Sequence, residues 1–305
     1  MKILLSSRQG TNGITFHLQA WEPDTKPRAV VALVHGMGEH VARHARLGEA
    51  LVKAQFAVMG FDLRGHGRSG GPRGHAPNYD ALMNDIDALL DWVRSRHPRS
   101  PVFLYGHSLG GALVLNYVLR RSPALRGIIA TSPWLRAAIK PSALQLMFAR
   151  AVDPILPAYS QKWGLEPSAL SKDASVGADF ERDPLSHGLI SARMYLSCRD
   201  AGEWALQHAA EFPLPLLLMH GTADRLTSWE ASQEFARRAG PKVTWRRWDG
   251  WYHELHNEPA RARVLKTIVD WMNRRLENSR SARRPAGQMR RGMRKSRPIL
   301  RRNEA

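Results

Sequence analysis

Cysteine is nearly absent from this chain: Cys198 stands alone among 305 residues. An internal disulfide framework and any cysteine-based zinc site are thereby excluded, and a reducing compartment fits. Long apolar runs are missing as well, since no stretch approaches the roughly 18 residues that would span a bilayer. The start, Met1-Lys2-Ile3-Leu4-Leu5-Ser6-Ser7-Arg8, has three consecutive apolar residues, where a secretory core needs about 7–15. The expectation is a cytoplasmic chain with no signal peptide and at most peripheral membrane contact. Acidic residues are scarce, 27 against 45 Lys and Arg, which leaves a net charge of +18. No internal repeat is visible.

The excess positive charge is unevenly spread. From Ser279 onward there are ten Lys or Arg and one acid, Glu304, so half of the net charge sits in the last 27 residues. This stretch has no apolar periodicity and contains Pro285 and Pro298, so residues 279–305 are expected to be a disordered, Arg-rich tail. It could touch anionic head groups electrostatically. It has no aromatic residue on which a base could stack, and no specific nucleic acid is predicted.

Apolar residues make up 43% of the chain, enough for a sizeable core. Short runs rich in Val, Ile, Leu and Phe are expected to be buried parallel strands: Ala29–Val34, Phe56–Phe61, Val102–Tyr105, Gly127–Ala130 and Leu214–Met219. Helical patterns lie between them, at Val41–Ala54, Tyr79–Arg96, Ala112–Arg121 and Trp229–Ala239. Such alternation predicts a parallel sheet with helices on both faces. The alternating segment Ile14–Trp21 should be an antiparallel leading strand, and Val243–Trp248 the last one. Glu258–Leu276 should be the closing helix, with Pro259 in its first turn. Between about Pro133 and Phe212 the alternation breaks. That is too long for a plain loop, so an inserted helical cap is expected there, containing Ser142–Val152 and no buried strand. The domain reading is a core of residues 1–132 and 213–278, a cap of 133–212 and the tail.

Gly106-His107-Ser108-Leu109-Gly110 is a Gly-x-Ser-x-Gly motif. The pattern is common by itself, but here it follows a predicted strand and opens a predicted helix, as a nucleophile elbow requires. A serine hydroxyl needs a base that is itself held by an acid. His253 lies in the loop between the last strand and the closing helix; His256, nearer the helix, is its rival. Asp224 follows the strand Leu214–Met219 and so reaches the same rim as Ser108. Asp249 and the cap carboxylates Asp173, Asp179, Asp183 and Asp200 are poorer placed. For the oxyanion, Leu109 offers one backbone N–H and Met37, in the loop His35-Gly36-Met37-Gly38-Glu39-His40, offers the other. Gly65-His66-Gly67-Arg68-Ser69 lacks the Lys-Ser/Thr of a phosphate loop and is expected to be a structural turn, with an Asp62–Arg64 ion pair and a hydrogen-bonded His66. No metal or organic cofactor is needed for this chemistry.

With HGMGEH, FDLRGHGRSGG, YGHSLGG, DPLSHGLISARM, HGTADRLTS and YHELHNE, the chain resembles the monoacylglycerol lipase family of α/β-hydrolases and its lysophospholipase relatives, over about residues 10–276. The resemblance implies an α/β-hydrolase fold with a mostly parallel eight-stranded sheet and a Ser108–Asp224–His253 triad. It also implies hydrolysis of a small lipid ester through an acyl-enzyme, under a cap that closes an apolar acyl channel. A head-group pocket of Glu39, Arg43 and His256 is implied by the family pattern. His44 departs from it, standing where tyrosine is common. The competing readings are a short-chain carboxylesterase or amide hydrolase, and a binding protein that has kept the pocket. Lipid-facing contact, if any, would run through cap residues such as Leu144, Met147, Phe148 and Ile155 or through the tail.

Overall fold

The structure is a computed structural model that describes the chain apart from residues 11, 12, 163 and 283–305, with the backbone alone for 278–282. In chain order its strands are β1 (Lys2–Gln9), β2 (Thr15–Glu22), β3 (Val30–Val34), β4 (Ala57–Phe61), β5 (Val102–His107) and β6 (Gly127–Thr131). After them come β7 (Ser160–Lys162), β8 (Leu189–Ser191), β9 (Leu216–Gly221) and β10 (Val243–Trp248). The helices are α1 (Ala45–Lys53), α2 (Tyr79–Arg96), α3 (Leu109–Arg121), α4 (Ala143–Val152), α5 (Ala174–Arg182), α6 (Ala192–Gln207), α7 (Trp229–Ala239) and α8 (Ala262–Ala282). Eight strands form one sheet in the order β1-β2-β4-β3-β5-β6-β9-β10. β2 pairs antiparallel with both β1 and β4, and every junction from β4 to β10 is parallel.

Side chains alternate across the sheet as a period of two demands. Val30, Ala32 and Val34 of β3 pack on one face with Leu89 of α2, Leu113 of α3 and Phe235 of α7. Val31 and Leu33 pack on the other with Leu47 of α1 and Trp271 of α8. Every residue of β3, β4, β6 and β9 is buried, each large one contributing about 1.5–3 kcal/mol of transfer free energy. Parallel strands covered on both faces must be apolar on both, which is why these runs are continuous rather than alternating.

The differences from expectation lie at edges and in the inserted segment. β1 was not anticipated: its residues are mostly exposed, so apolar patterning gives no sign of it. The predicted Val41–Ala54 helix divides into a 3₁₀ turn, Val41–His44, and α1. α8 begins at Ala262, not Glu258, because the buried Glu258 is occupied in the preceding turn, where its Oε1 accepts from the Tyr252 and Lys172 amides. It runs to Ala282, four residues into the expected tail; the rest of that stretch lies outside the described residues. The inserted segment holds α4, α5 and α6, and also a β7–β8 antiparallel ribbon in which Ile190 and Ser191 are buried.

The expected Asp62–Arg64 pair does not form. The Arg64 guanidinium instead grips Asp85 of α2 through Nε at 2.6 Å and Nη2 at 2.5 Å, a fork geometry suited to its plane. Asp62 turns to otherwise unpaired amides, accepting from Val41 and Arg68 at 2.8 Å each. Burial still pushes the Asp85 carboxyl above its usual value despite Arg64. Arg64→Met would strand that buried group, and about 3–5 kcal/mol of unfolding free energy should be lost in a denaturant titration.

Candidate active site

β5 ends where the chain turns sharply into α3, and Ser108 sits on that turn at φ 53° and ψ −115°. A non-glycine residue there is strained, and the strain is held by bonds on both sides. The Ser108 amide donates to the Thr131 carbonyl at 3.0 Å, and its own carbonyl accepts from Trp134 at 2.9 Å and Ala112 at 3.1 Å. Gly110 has to be glycine because a Cβ would run into the Val34 and His35 carbonyls at the end of β3. Close packing of that loop also brings Gly36 and Met37 beside Ser108, in one small recess.

Asp224 and His253 arrive from the exits of β9 and β10. His253 Nδ1 donates to Asp224 Oδ2 at 2.6 Å, leaving Nε2 as the free ring nitrogen. Ser108 and His253 line the same recess, so the structure brings the three predicted residues to one rim. Asp224 is otherwise saturated: Oδ1 accepts from the Leu226 and Thr227 amides at 2.8 and 3.0 Å. Oδ2 also lies 3.0 Å from His220 Nε2 and 2.9 Å from the Thr227 hydroxyl. Burial would raise its pKa, but the charge of His253 and the hydrogen bonds of both histidines hold it well below the carboxylate range. For His253 the balance is opposite in sign. Burial lowers its pKa, and the Asp224 charge and hydrogen bond more than offset this, leaving it above the usual histidine value.

His220 and Thr227 were missed in the sequence, although both stand in HGTADRLTS, within four residues of Asp224. So was Ser132, whose hydroxyl donates to the His253 carbonyl at 2.7 Å and steadies the histidine loop. Of the two expected oxyanion donors, Met37 lines the recess and Leu109 directly follows Ser108. Leu109 opens α3, so its N–H has no carbonyl within the helix. Met37 follows Gly36 in the recess, above His66, whose Nδ1 hydrogen-bonds the Arg64 carbonyl at 2.8 Å as a structural histidine would.

The expected head-group residues part company. Glu39 faces the recess with Glu254. Arg43 lies behind it, pairing with Glu254 at 2.9 Å and Glu39 at 3.6 Å. His256 is fully buried, stacked on His44 at 4.6 Å and edge-on to His107 at 5.0 Å. These two form the wall behind the pocket and do not line it, because the four-residue spacing carries Arg43 past the loop and His256 turns inward under the helix start.

The recess at Ser108 holds about 20 Å³, whereas the neighbouring chamber under the α4–β7 segment holds about 650 Å³. Leu165 and Leu226 line both, so the two cavities adjoin at these side chains. The chamber is walled largely by apolar groups, among them Trp134, Phe148, Val152 and Tyr195. DPLSHGLISARM fastens the segment over the site. Asp183 pairs with His40 at 2.6 Å, and the His187 amide and ring hydrogen-bond the Gly38 and Gly65 carbonyls at 2.8 and 3.1 Å. Gly38, at φ 75°, leaves no room for a Cβ against the His187 carbonyl.

Comparison with known proteins agrees with this geometry. A family model described as serine aminopeptidase S33 matches residues 25–260. An uncharacterized abhydrolase domain-containing protein of Dictyostelium discoideum is 35% identical over 88% of this chain, which spans only 28% of that relative. The monoacylglycerol lipase of Mycolicibacterium smegmatis is 32% identical over 86% of this chain and 94% of its own. The crystal structure of Paleococcus ferrophilus monoacylglycerol lipase superposes with a TM-score of 0.77 at 31% identity, covering 90% of this chain and all of that one. The sheet, the elbow and these likenesses together make the chain a serine hydrolase with the α/β-hydrolase fold, a member of the serine aminopeptidase S33 family in which it stands beside monoacylglycerol lipases.

Proposed function

We propose that this serine hydrolase cleaves single-chain acyl esters, monoacylglycerols foremost, with Ser108 as nucleophile, His253 as base and Asp224 as its orienting acid. The observation that carries the reading is the union of a strained serine, a histidine held at 2.6 Å by a buried aspartate and an adjoining apolar chamber of about 650 Å³. His253 Nε2 takes the Ser108 proton as the hydroxyl attacks the ester carbonyl, and the imidazolium is stabilised by Asp224. The Met37 and Leu109 amides hold the oxyanion. Glycerol leaves with the proton from His253, and water repeats the cycle on the acyl-serine. A chamber of this size falls within the range of small-molecule sites, and Leu165 and Leu226 would part to admit the acyl chain to it.

Cap and core boundaries near 132 and 213 belong to the same proposal, as does contact with a lipid surface. Helix α4 buries none of its side chains. Leu144, Met147, Phe148 and Ile155 are each more than half exposed, near the exposed cations Lys140, Arg150 and Lys162. Apolar side chains ringed by cations suit an anionic bilayer surface. No helix among the described residues is long and apolar enough to cross a membrane.

Four outcomes test these statements. Across monoacylglycerols of rising chain length, kcat/KM should climb by roughly fourfold per methylene until the chamber is filled, from about 0.8 kcal/mol per buried CH₂. A steady fall with length would favour the short-chain esterase instead. The base works only when neutral, so activity should be lost as pH falls, with the midpoint of the acid limb above 6.5. Asp224→Asn should cost about 10⁴-fold in kcat and move that limb to lower pH. Leu144→Glu with Met147→Glu should weaken sedimentation with anionic vesicles while leaving hydrolysis of a soluble short ester unchanged; equal binding by both forms would remove α4 from the lipid contact.

A further inference from the structure

Glu39 is turned back along its own loop. Its Oε1 accepts the Gly36 N–H at 2.5 Å, and the next peptide carries the Met37 N–H. A Cβ on Gly36 would stand 3.0 Å from Ser108 Cβ, so this peptide is pressed against the nucleophile and its rotation is set by what holds Gly36. Behind it, Glu39 Oε2 faces Arg43 Nε at 3.6 Å, and Arg43 Nη2 donates to Glu254 Oε1 at 2.9 Å. Glu254 directly follows His253. Its Oε2 accepts from Asn257 at 2.7 Å, and its amide donates to the Leu170 carbonyl at 2.7 Å. All three charged side chains are nine-tenths or more buried.

A carboxylate this close to a developing oxyanion would oppose catalysis if its only business were charge. Here the Arg43 guanidinium is hydrogen-bonded to Glu254 and lies within ion-pair distance of Glu39, and each carboxylate is joined to a different half of the catalytic apparatus. An imidazole, His44 Nε2, lies 3.2 Å from the same Glu39 Oε1 that accepts the Gly36 N–H. A guanidinium set between two buried carboxylates is held in place, because moving it away would leave buried charge poorly compensated. We propose that Glu39, Arg43 and Glu254 are positioning residues forming a strut that fixes the distance between the oxyanion loop and the His253 loop. Resting on the acyl-enzyme reading above, the strut serves both halves of the cycle and does not recognise the alcohol that leaves.

Deacylation isolates this effect, since the alcohol has gone by then. Water attacks the acyl-serine carbonyl, His253 takes the water proton, and the Ser108 oxygen recovers it as the ester C–O bond breaks. The experiment compares Glu39→Ala and Glu39→Gln with the unaltered chain, on a monoacylglycerol and a p-nitrophenyl ester of the same acid. Active sites are counted by fluorophosphonate labelling, so that unfolded protein does not enter the rates, and acyl-enzyme decay is followed after rapid mixing. Glu39→Ala should lower kcat on both esters by the same factor, about 10- to 100-fold, below the ~10²–10³ of a whole oxyanion donor. Acyl-enzyme decay should slow equally, and KM should change little. Glu39→Gln keeps an acceptor for Gly36 N–H and should recover most of the loss. A loss confined to the glycerol ester, with decay unchanged, would overturn the strut and make Glu39 a head-group contact. If fluorophosphonate failed to label Ser108 in the unaltered chain, the acyl-enzyme reading itself would fall.

Discussion

The turn at Ser108 is the constraint around which the molecule is arranged. A serine at φ 53° and ψ −115° costs on the order of 1–3 kcal/mol and persists only where its surroundings leave no alternative. Those surroundings are supplied by three strands. β6 provides the carbonyl that receives the Ser108 amide, β3 presses its exit against Gly110, and β5 delivers the chain. Because these strands are parallel and adjacent, their carboxyl ends open on one rim. Ligand sites on open α/β sheets gather at such rims, and the loops after β3, β9 and β10 bring their residues to the same place.

Fastening the inserted segment is the second requirement, and histidines perform much of it. His40, His75 and His187 each hydrogen-bond across the seam, to Asp183, Ser191 and Gly65 respectively. The Glu254 amide and the Asn257 carbonyl add bonds to Leu170 and Ser171 on the far side. Both ends of α5 are therefore tied to loops that also carry site residues. The α4 region is tied within the inserted segment by the Asp153–Arg193 pair, and it is this region that walls the large chamber.

How much of this was legible in the sequence follows from the physics of each part. Buried parallel strands are continuous apolar runs, so β3, β4, β5, β6 and β9 could be located to within about two residues of their ends, near the usual limit for boundaries. Tyr79–Arg96 and Trp229–Ala239 coincide with α2 and α7, because Asn78 and Ser228 cap them with side-chain bonds that the residue types announce. β1 escaped notice because its residues face solvent, and β7–β8 because three-residue strands carry no period. The Ser-Asp-His order identifies candidates by type and position. Partners chosen by direction are another matter: Arg64 takes Asp85 over Asp62, and Arg43 takes Glu254, a residue more than two hundred positions away, along with its i,i+4 neighbour.

That last case shows why charge pairs at helical spacing are poor guides to substrate contacts. Glu39 and Arg43 share a helix-start spacing, and from the sequence both face one way. In three dimensions the pair is divided by the wall of the recess: the carboxylate faces in, and the guanidinium is sealed behind it between two acids and over the Phe180 ring. Freeing Arg43 to meet an alcohol would leave two buried carboxylates uncompensated, at a cost of several kcal/mol, more than one hydrogen bond to a glycerol hydroxyl could return. The energetics therefore favour an arginine that stays where it is, acting on the recess only through the two carboxylates on either side of it.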